Sequence, residues 1–192
     1  MKWSLVFFSY ILGSLPSGII VAKLMGKSDP RLSGSGNIGT TNVLRTLGKK
    51  AAAATLLGDL LKGIIPVLLA RWLMPEGSPF IYFAAAAAIL GHDFSFLLHF
   101  KGGKGVATTV GALAALSPAV AALCLVTWLL VVGITRYSSA GALSAAAACP
   151  LFALVITGPG SFTLFCTAVA ALLWFLHREN IKRLLDGKEN RL

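Results

Sequence analysis

Residues 50–73 read KAAAATLLGDLLKGIIPVLLARWL, and this stretch decides the class of fold. It is about as long as the roughly 20 residues a helix needs to cross a hydrocarbon core, and its only charges are Lys50, Asp59, Lys62 and Arg71. Six more apolar segments, at residues 3–23, 79–91, 105–116, 118–135, 137–157 and 160–176, are set apart by Gly, Pro and basic residues. The chain has 192 residues, 56% hydrophobic and 12% charged, with a mean hydropathy of +0.80. An ordinary soluble domain does not have that balance. Strand-like alternation is absent, so the segments predict helices and not a barrel.

Segments 79–91 and 105–116 are short for full spans, and Pro118 separates the fourth segment from the fifth because it lacks an N–H and disfavours helix before it. Basic residues arbitrate the count. Seven spans with the N-terminus outside put fourteen of the seventeen Lys and Arg on the cytoplasmic side, leaving Lys2 and Arg71 outside and Lys62 within the membrane. Six spans would part the basic C-terminal tail from the first basic loops. The expectation is therefore an all-α integral membrane protein, a compact bundle of seven transmembrane helices with a cytoplasmic C-terminus. It forms one domain over residues 1–192, with cytoplasmic-side loops 24–49 and 92–104 and an amphipathic tail 177–192. Alanine clusters at 51–54, 84–88 and 145–148 favour close helix packing in lipid. The first 25 residues lack a signal-peptide cleavage site, so they read as a retained span.

A net charge of +10 would suggest nucleic acid in a soluble protein. In a membrane protein it points to topology, anionic lipid and phosphorylated ligands, and no nucleic acid is expected. Cys124, Cys149 and Cys166 lie inside apolar runs without metal spacing and read as packing residues. With four Asp and three Glu in the chain, carboxylates are too few to cage a divalent ion, and no metal is expected. Asp59 and Lys62, three apart in a membrane helix, predict an internal ion pair first and a part in holding a site second.

Three polar segments carry the chemistry. The first is Ser33-Gly34-Ser35-Gly36-Asn37-Ile38-Gly39-Thr40-Thr41-Asn42, followed by Arg45. Its glycine-freed N–H groups, its hydroxyl and amide side chains, and the guanidinium make an anion cradle. The plainer alternative is a flexible hairpin between spans. Gly34, Gly36 and Gly39 match a dinucleotide fingerprint formally, but no strand precedes them and Asp59 lies in a membrane helix. The second runs from Gly91-His92 to Phe100-Lys101-Gly102-Gly103-Lys104-Gly105, two lysines straddling two glycines before a helix, where an anion is favoured. A basic turn facing lipid headgroups is the alternative here, and the nucleotide P-loop pattern is missing. The third, His177-Arg178-Glu179-Asn180-Ile181-Lys182-Arg183-Leu184-Leu185, leaves the last span with His177 and Asn180 on one face. His92 and His99 read as interfacial residues and rank below His177.

Together these segments, with Gly187 beyond them, resemble the bacterial acyl-phosphate-dependent glycerol-3-phosphate acyltransferases, the PlsY family. Thr40 and Ser95 depart from the alanine and proline common there, and neither removes a polar group assigned to chemistry. The resemblance implies transfer of a fatty acyl group from acyl phosphate to glycerol 3-phosphate in the bacterial inner membrane, with the site facing the cytoplasm. The first acylation of phospholipid synthesis would then need no cofactor and no obligatory protein partner beyond membrane lipids. The His-x-x-x-x-Asp pair of other acyltransferases is absent: Leu97, Lys104 and Lys182 stand five residues after His92, His99 and His177.

On this reading Ser35, Gly36, Asn37, Thr41, Asn42, Arg45, Lys101, Gly102, Gly103 and Lys104 hold phosphate. His177, Asn180 and Ser35 serve catalysis, and either His177 or the donor phosphate accepts the proton. A carrier for phosphorylated metabolites is the competing class. It should continue polar residues through mid-membrane, where only Asp59 and Lys62 stand.

Overall fold

The computed structural model describes residues 2–192, and every regular element among them is helical. Contacts divide the chain into two units, residues 1–115 and 116–192.

In the first unit, α1 (Lys2–Gly13) and α2 (Ser17–Leu24) take up the first apolar segment, bent by 47° at a break. The segment expected as one continuous span is therefore two helices. Pro16 supplies the reason, since its ring cannot continue the ladder of the residues before it. After a 3-10 turn at Pro30–Leu32 come α3 (Thr40–Leu47), α4 (Lys49–Leu73), α5 (Pro79–Asp93), a second 3-10 turn at Phe96–Leu98, and α6 (Val106–Leu116).

Backbones meet closely where glycine permits it. A Cβ on Gly13 would run into the carbonyl of Ala88, and one on Gly91 into that of Tyr10, so α1 and α5 cross almost in contact. Gly63 against Thr108, and Gly111 against Leu60, do the same for α4 and α6. This is how helices associate when lipid offers no hydrophobic drive between them. A cluster of Ala22, Val43, Leu47, Ala51 and Ala52 joins α2, α3 and α4. Leu5, Ala70, Met74 and Ala84 join α1, α4 and α5 at the other end.

The second unit holds α7 (Pro118–Thr135), α8 (Ser138–Thr157), α9 (Ser161–Leu176) and α10 (Arg178–Leu185). Arg136, in the left-handed region at φ 64°, turns α7 back onto α8. Cys124, Cys149 and Cys166 are buried free thiols, as packing residues should be.

Large apolar side chains stand outside: Trp72, Ile134 and Val155 are 80% or more exposed, a pattern that lipid covers and water does not. Among the described residues four helices are long and apolar enough to cross a membrane, or up to six if each bent pair is one span. The chain is thus an all-helical, multi-pass membrane protein. At 11 residues, α6 would extend about 16 Å at 1.5 Å per residue, roughly half the hydrocarbon thickness.

The α4–α6 crossing gives a sharp contrast. Gly63→Ala should destabilise the protein in detergent by about 1–3 kcal/mol, because a methyl group there meets backbone that cannot move aside. Gly133→Ala, with open space around it, should leave the thermal midpoint unchanged or slightly raised; equal midpoints for both variants would refute the close crossing.

Candidate active site

Asn42 builds the first polar segment. Its side chain is buried near the start of α3. Its Oδ1 accepts the Ser35 N–H at 2.8 Å, and its Nδ2 donates to the carbonyls of Pro30 and Asn37, both at 2.8 Å. One amide thus ties three points of the loop. Gly34, at φ 63°, lies where any Cβ would strike that Oδ1. Asn37 Oδ1 accepts the Gly39 N–H at 2.8 Å, a local turn of the kind asparagine favours. Ile38 is buried with its carbonyl against Gly18 of α2, so the loop rests on helix. The loop is thus tied to itself through Asn42 and Asn37 and rests on α2.

The tied loop leaves Ser35 exposed, with Thr41 and Arg45 half-buried along α3. The Gly36 N–H is bonded to Ser33 O at 3.2 Å. Upstream, Arg31 pairs with Asp29 at 2.6 Å and through that hydrogen bond holds the aspartate below the usual carboxylate range.

The second segment folds back over the end of α5. The Gly102 N–H bonds to Asp93 O at 3.0 Å and the Gly103 N–H to His92 O at 2.9 Å. The expectation that glycine N–H groups face an anion therefore changes: the N–H groups of Gly36, Gly102 and Gly103 are engaged within the fold, and the side chains remain as the charged contacts. A Cβ on Gly102 would strike His92 O, and one on Gly103 would strike His92 Nε2. His99 and Phe100 both take positive φ, 52° and 61°, in turning the chain here. Lys101 is exposed, and Lys104 is half-buried two residues before α6. The expected ion pair inside α4 is present, with Lys62 Nζ 2.9 Å from Asp59 Oδ1.

In the second unit, His177 is buried at the 58° bend between α9 and α10, and its carbonyl accepts the Ile181 N–H at 2.8 Å to open the α10 ladder. Its Nδ1 lies 2.8 Å from Leu173 O. A carbonyl only accepts, so Nδ1 carries the proton and Nε2 is the basic nitrogen of the neutral ring.

Asn180 is buried on α10, and its Nδ2 donates to Glu189 Oε1 at 2.7 Å. Ser139 Oγ reaches the same oxygen at 2.8 Å, and Arg183 Nε reaches Oε2 at 2.7 Å. The tail also bonds Leu192 N–H to Arg136 O at 2.8 Å. The bonds that Glu189 makes to Asn180 and Ser139 were not legible, because Lys188-Glu189-Asn190-Arg191 has the composition of any charged tail.

The chain matches a family described as glycerol-3-phosphate acyltransferase over residues 3–187. It is 47% identical to a glycerol-3-phosphate acyltransferase of Bordetella pertussis, covering 98% of this chain and 91% of that one. With the enzyme of the same name from Nitrobacter winogradskyi it shares 50% identity, covering 96% and 93%. Among solved structures it is similar to PlsY, an integral membrane glycerol 3-phosphate acyltransferase, in two forms. The glycerol 3-phosphate form aligns with a TM-score of 0.94 at 41% identity, over 100% of this chain and 95% of that one. The lysophosphatidic acid form aligns with a TM-score of 0.93 at 40% identity, over the same shares.

Burial alone would raise the Glu189 carboxyl, but hydrogen bonds from Asn180, Arg183 and Ser139 hold it below the usual range. A depressed folded value contributes stability that is complete above the unfolded value of about 4.3 and is lost as pH falls through the folded value. At neutral pH only substitution undoes the clasp. Glu189→Ala should speed tryptic cleavage after Arg183 and Lys188 by about tenfold at pH 7, read by mass spectrometry of the C-terminal peptides; cleavage at the wild-type rate would show that the tail is held otherwise.

Proposed function

The chain belongs to the glycerol-3-phosphate acyltransferase family, and from that premise we propose that it transfers a fatty acyl group from acyl phosphate to glycerol 3-phosphate, giving lysophosphatidic acid and inorganic phosphate. One observation carries this reading: all three polar segments, from the serine-glycine loop to the histidine after the last long helix, lie inside the stretch matched to the family. The similar PlsY was solved in a glycerol 3-phosphate form and a lysophosphatidic acid form, an acceptor and a product of such a transfer.

An acyl phosphate is a mixed anhydride with a good leaving group. The catalyst's task is to align two anions and to stabilise the carbonyl oxygen as it gains charge. Ser35, Arg45 and Lys104, with Asn37, Thr41 and Lys101 beside them, neutralise the phosphates. Asn42, Gly36, Gly102 and Gly103 shape the backbone that carries these side chains. Asn180 and His177 orient the attacking hydroxyl of glycerol 3-phosphate. Its oxygen bonds to the acyl carbon, the bond from that carbon to the phosphate oxygen breaks, and the proton passes to His177 Nε2 or to the departing phosphate. Neither route needs an enzyme-bound acyl group, a cofactor or a metal.

The membrane arrangement that suits this chemistry is the one the charges favour. Seven crossings, counting short α6, put the N-terminus outside and the C-terminus in the cytoplasm. Loops 24–49 and 92–104 and the tail 177–192 then share the cytoplasmic face of the inner membrane as parts of one domain. Acyl phosphate enters from the lipid and glycerol 3-phosphate from the cytoplasm.

Purified protein in detergent, given acyl phosphate and glycerol 3-phosphate alone, should form lysophosphatidic acid and phosphate in equal amounts; no product, or product only with a second protein or another acyl donor, would overturn the reading. With His177 as the base, His177→Ala should lower kcat by about a hundredfold or more, whereas near-normal turnover would assign the proton to the donor phosphate. Arg45→Ala should mainly raise KM for a phosphorylated substrate, and unchanged kcat and KM would remove Arg45 from the site.

A further inference from the structure

Beneath the lysine-glycine turn lie four buried ionisable side chains that the proposed chemistry does not use: Asp59 and Lys62 of α4, and His92 and Asp93 at the end of α5. Asp59 Oδ1 faces Lys62 Nζ at 2.9 Å and the ring nitrogen Nδ1 of His92 at 3.6 Å, the second beyond hydrogen-bond length. On its far side the lysine donates to Leu15 O at 2.9 Å, at the break between α1 and α2. Carbonyls past the end of a helix have no partner in it, and a cation is favoured there.

Two further bonds join the second segment to the break and to α1 just before it: Ser95 Oγ donates to Ser14 O at 2.6 Å, and Tyr10 Oη to Phe94 O at 2.7 Å. The other edge of the His92 ring, Nε2, lies against Gly103, and the Asp93 carboxylate oxygens stand 2.8 and 2.9 Å from where a Cβ of Gly105 would be.

Charges kept in a membrane helix are costly and mark functional sites by default. This pair supports a ring whose one edge faces it and whose opposite edge is the floor of the turn. The turn's N–H groups at 102 and 103 are bonded to the carbonyls of residues 93 and 92, so the position of this stretch of α5 is transmitted to the lysines on either side.

We propose that His92 is a positioning residue for the acyltransfer: its imidazole, oriented by the Asp59–Lys62 pair, is the floor on which Gly102 and Gly103 fold, and it thereby holds Lys101 and Lys104 in place for a substrate phosphate. This rests on the acyltransferase reading and adds a residue that touches neither substrate. A role of this kind affects phosphate binding more than the chemical step, because the groups around the reacting carbon are left in place.

The test uses the whole protein in detergent, with His92→Ala and His92→Gln compared with wild type. In His92→Ala the amides of residues 102 and 103 should exchange with deuterium about tenfold faster. KM for at least one phosphorylated substrate should rise about tenfold, with kcat changed by no more than about threefold. His92→Gln, which carries an amide nitrogen to the position of Nε2, should recover most of both effects; if His92→Ala does not fold, His92→Gln and wild type carry the comparison, and the glutamine variant should show the same two shifts in milder form. Unchanged exchange in a folded His92→Ala, faster exchange with unchanged KM, or a loss confined to kcat would each overturn the proposal. Wild-type protein without transferase activity would instead defeat the acyltransferase reading, while the exchange measurement would still show whether His92 holds the turn.

Discussion

Hydrocarbon offers no hydrogen bonds, so a polar group inside the membrane must find its partner within the protein. That constraint runs through the whole chain. It makes the regular elements helical, and it makes Asp59 and Lys62 of α4 pair with each other, with Lys62 also reaching a carbonyl beyond the end of α1. It also sets how helices meet: no water is expelled when two apolar faces join in lipid, so contact has to come from close packing, and Gly13, Gly63, Gly91 and Gly111 supply it.

The three polar segments follow a common plan under this constraint. Each is held by a polar side chain that is not itself one of the groups proposed to meet substrate. Asn42 ties the serine-glycine loop, leaving Ser35 exposed. His92 underlies the glycine turn, which carries Lys101 and Lys104 at its edges. Glu189 gathers Asn180, Arg183 and Ser139, so that the tail is fastened to the start of α8. Such separation suits catalysis by alignment, in which the contacting groups must be held in place before the substrate arrives.

Much of this was legible in the residues. Segment 118–135 coincides with α7, and segments 50–73, 105–116, 137–157 and 160–176 each differ from a helix by one residue, because length and hydropathy alone define a helix in lipid. The Asp59–Lys62 pair followed from spacing and the cost of lone charge. The break at Pro16 was visible as a residue but not as a bend, since an apolar run hides the loss of a few backbone bonds. The backbone partners of Gly102 and Gly103 could not be read, because they depend on where the end of α5 passes. Glu189 was missed for a related reason: its partner Ser139 lies 50 residues away, and no local pattern announces a long-range clasp.

The claim on which the functional reading depends is that all three polar segments face the same side of the membrane. Single cysteines placed at Ser33, His99 and Lys182, all exposed positions, can be probed with a membrane-impermeant thiol reagent in sealed vesicles of known orientation, where the buried Cys124, Cys149 and Cys166 give little background. One active site drawn from three segments predicts that all three label from the cytoplasmic side alone. Any one of them labelled only from the opposite side would contradict it.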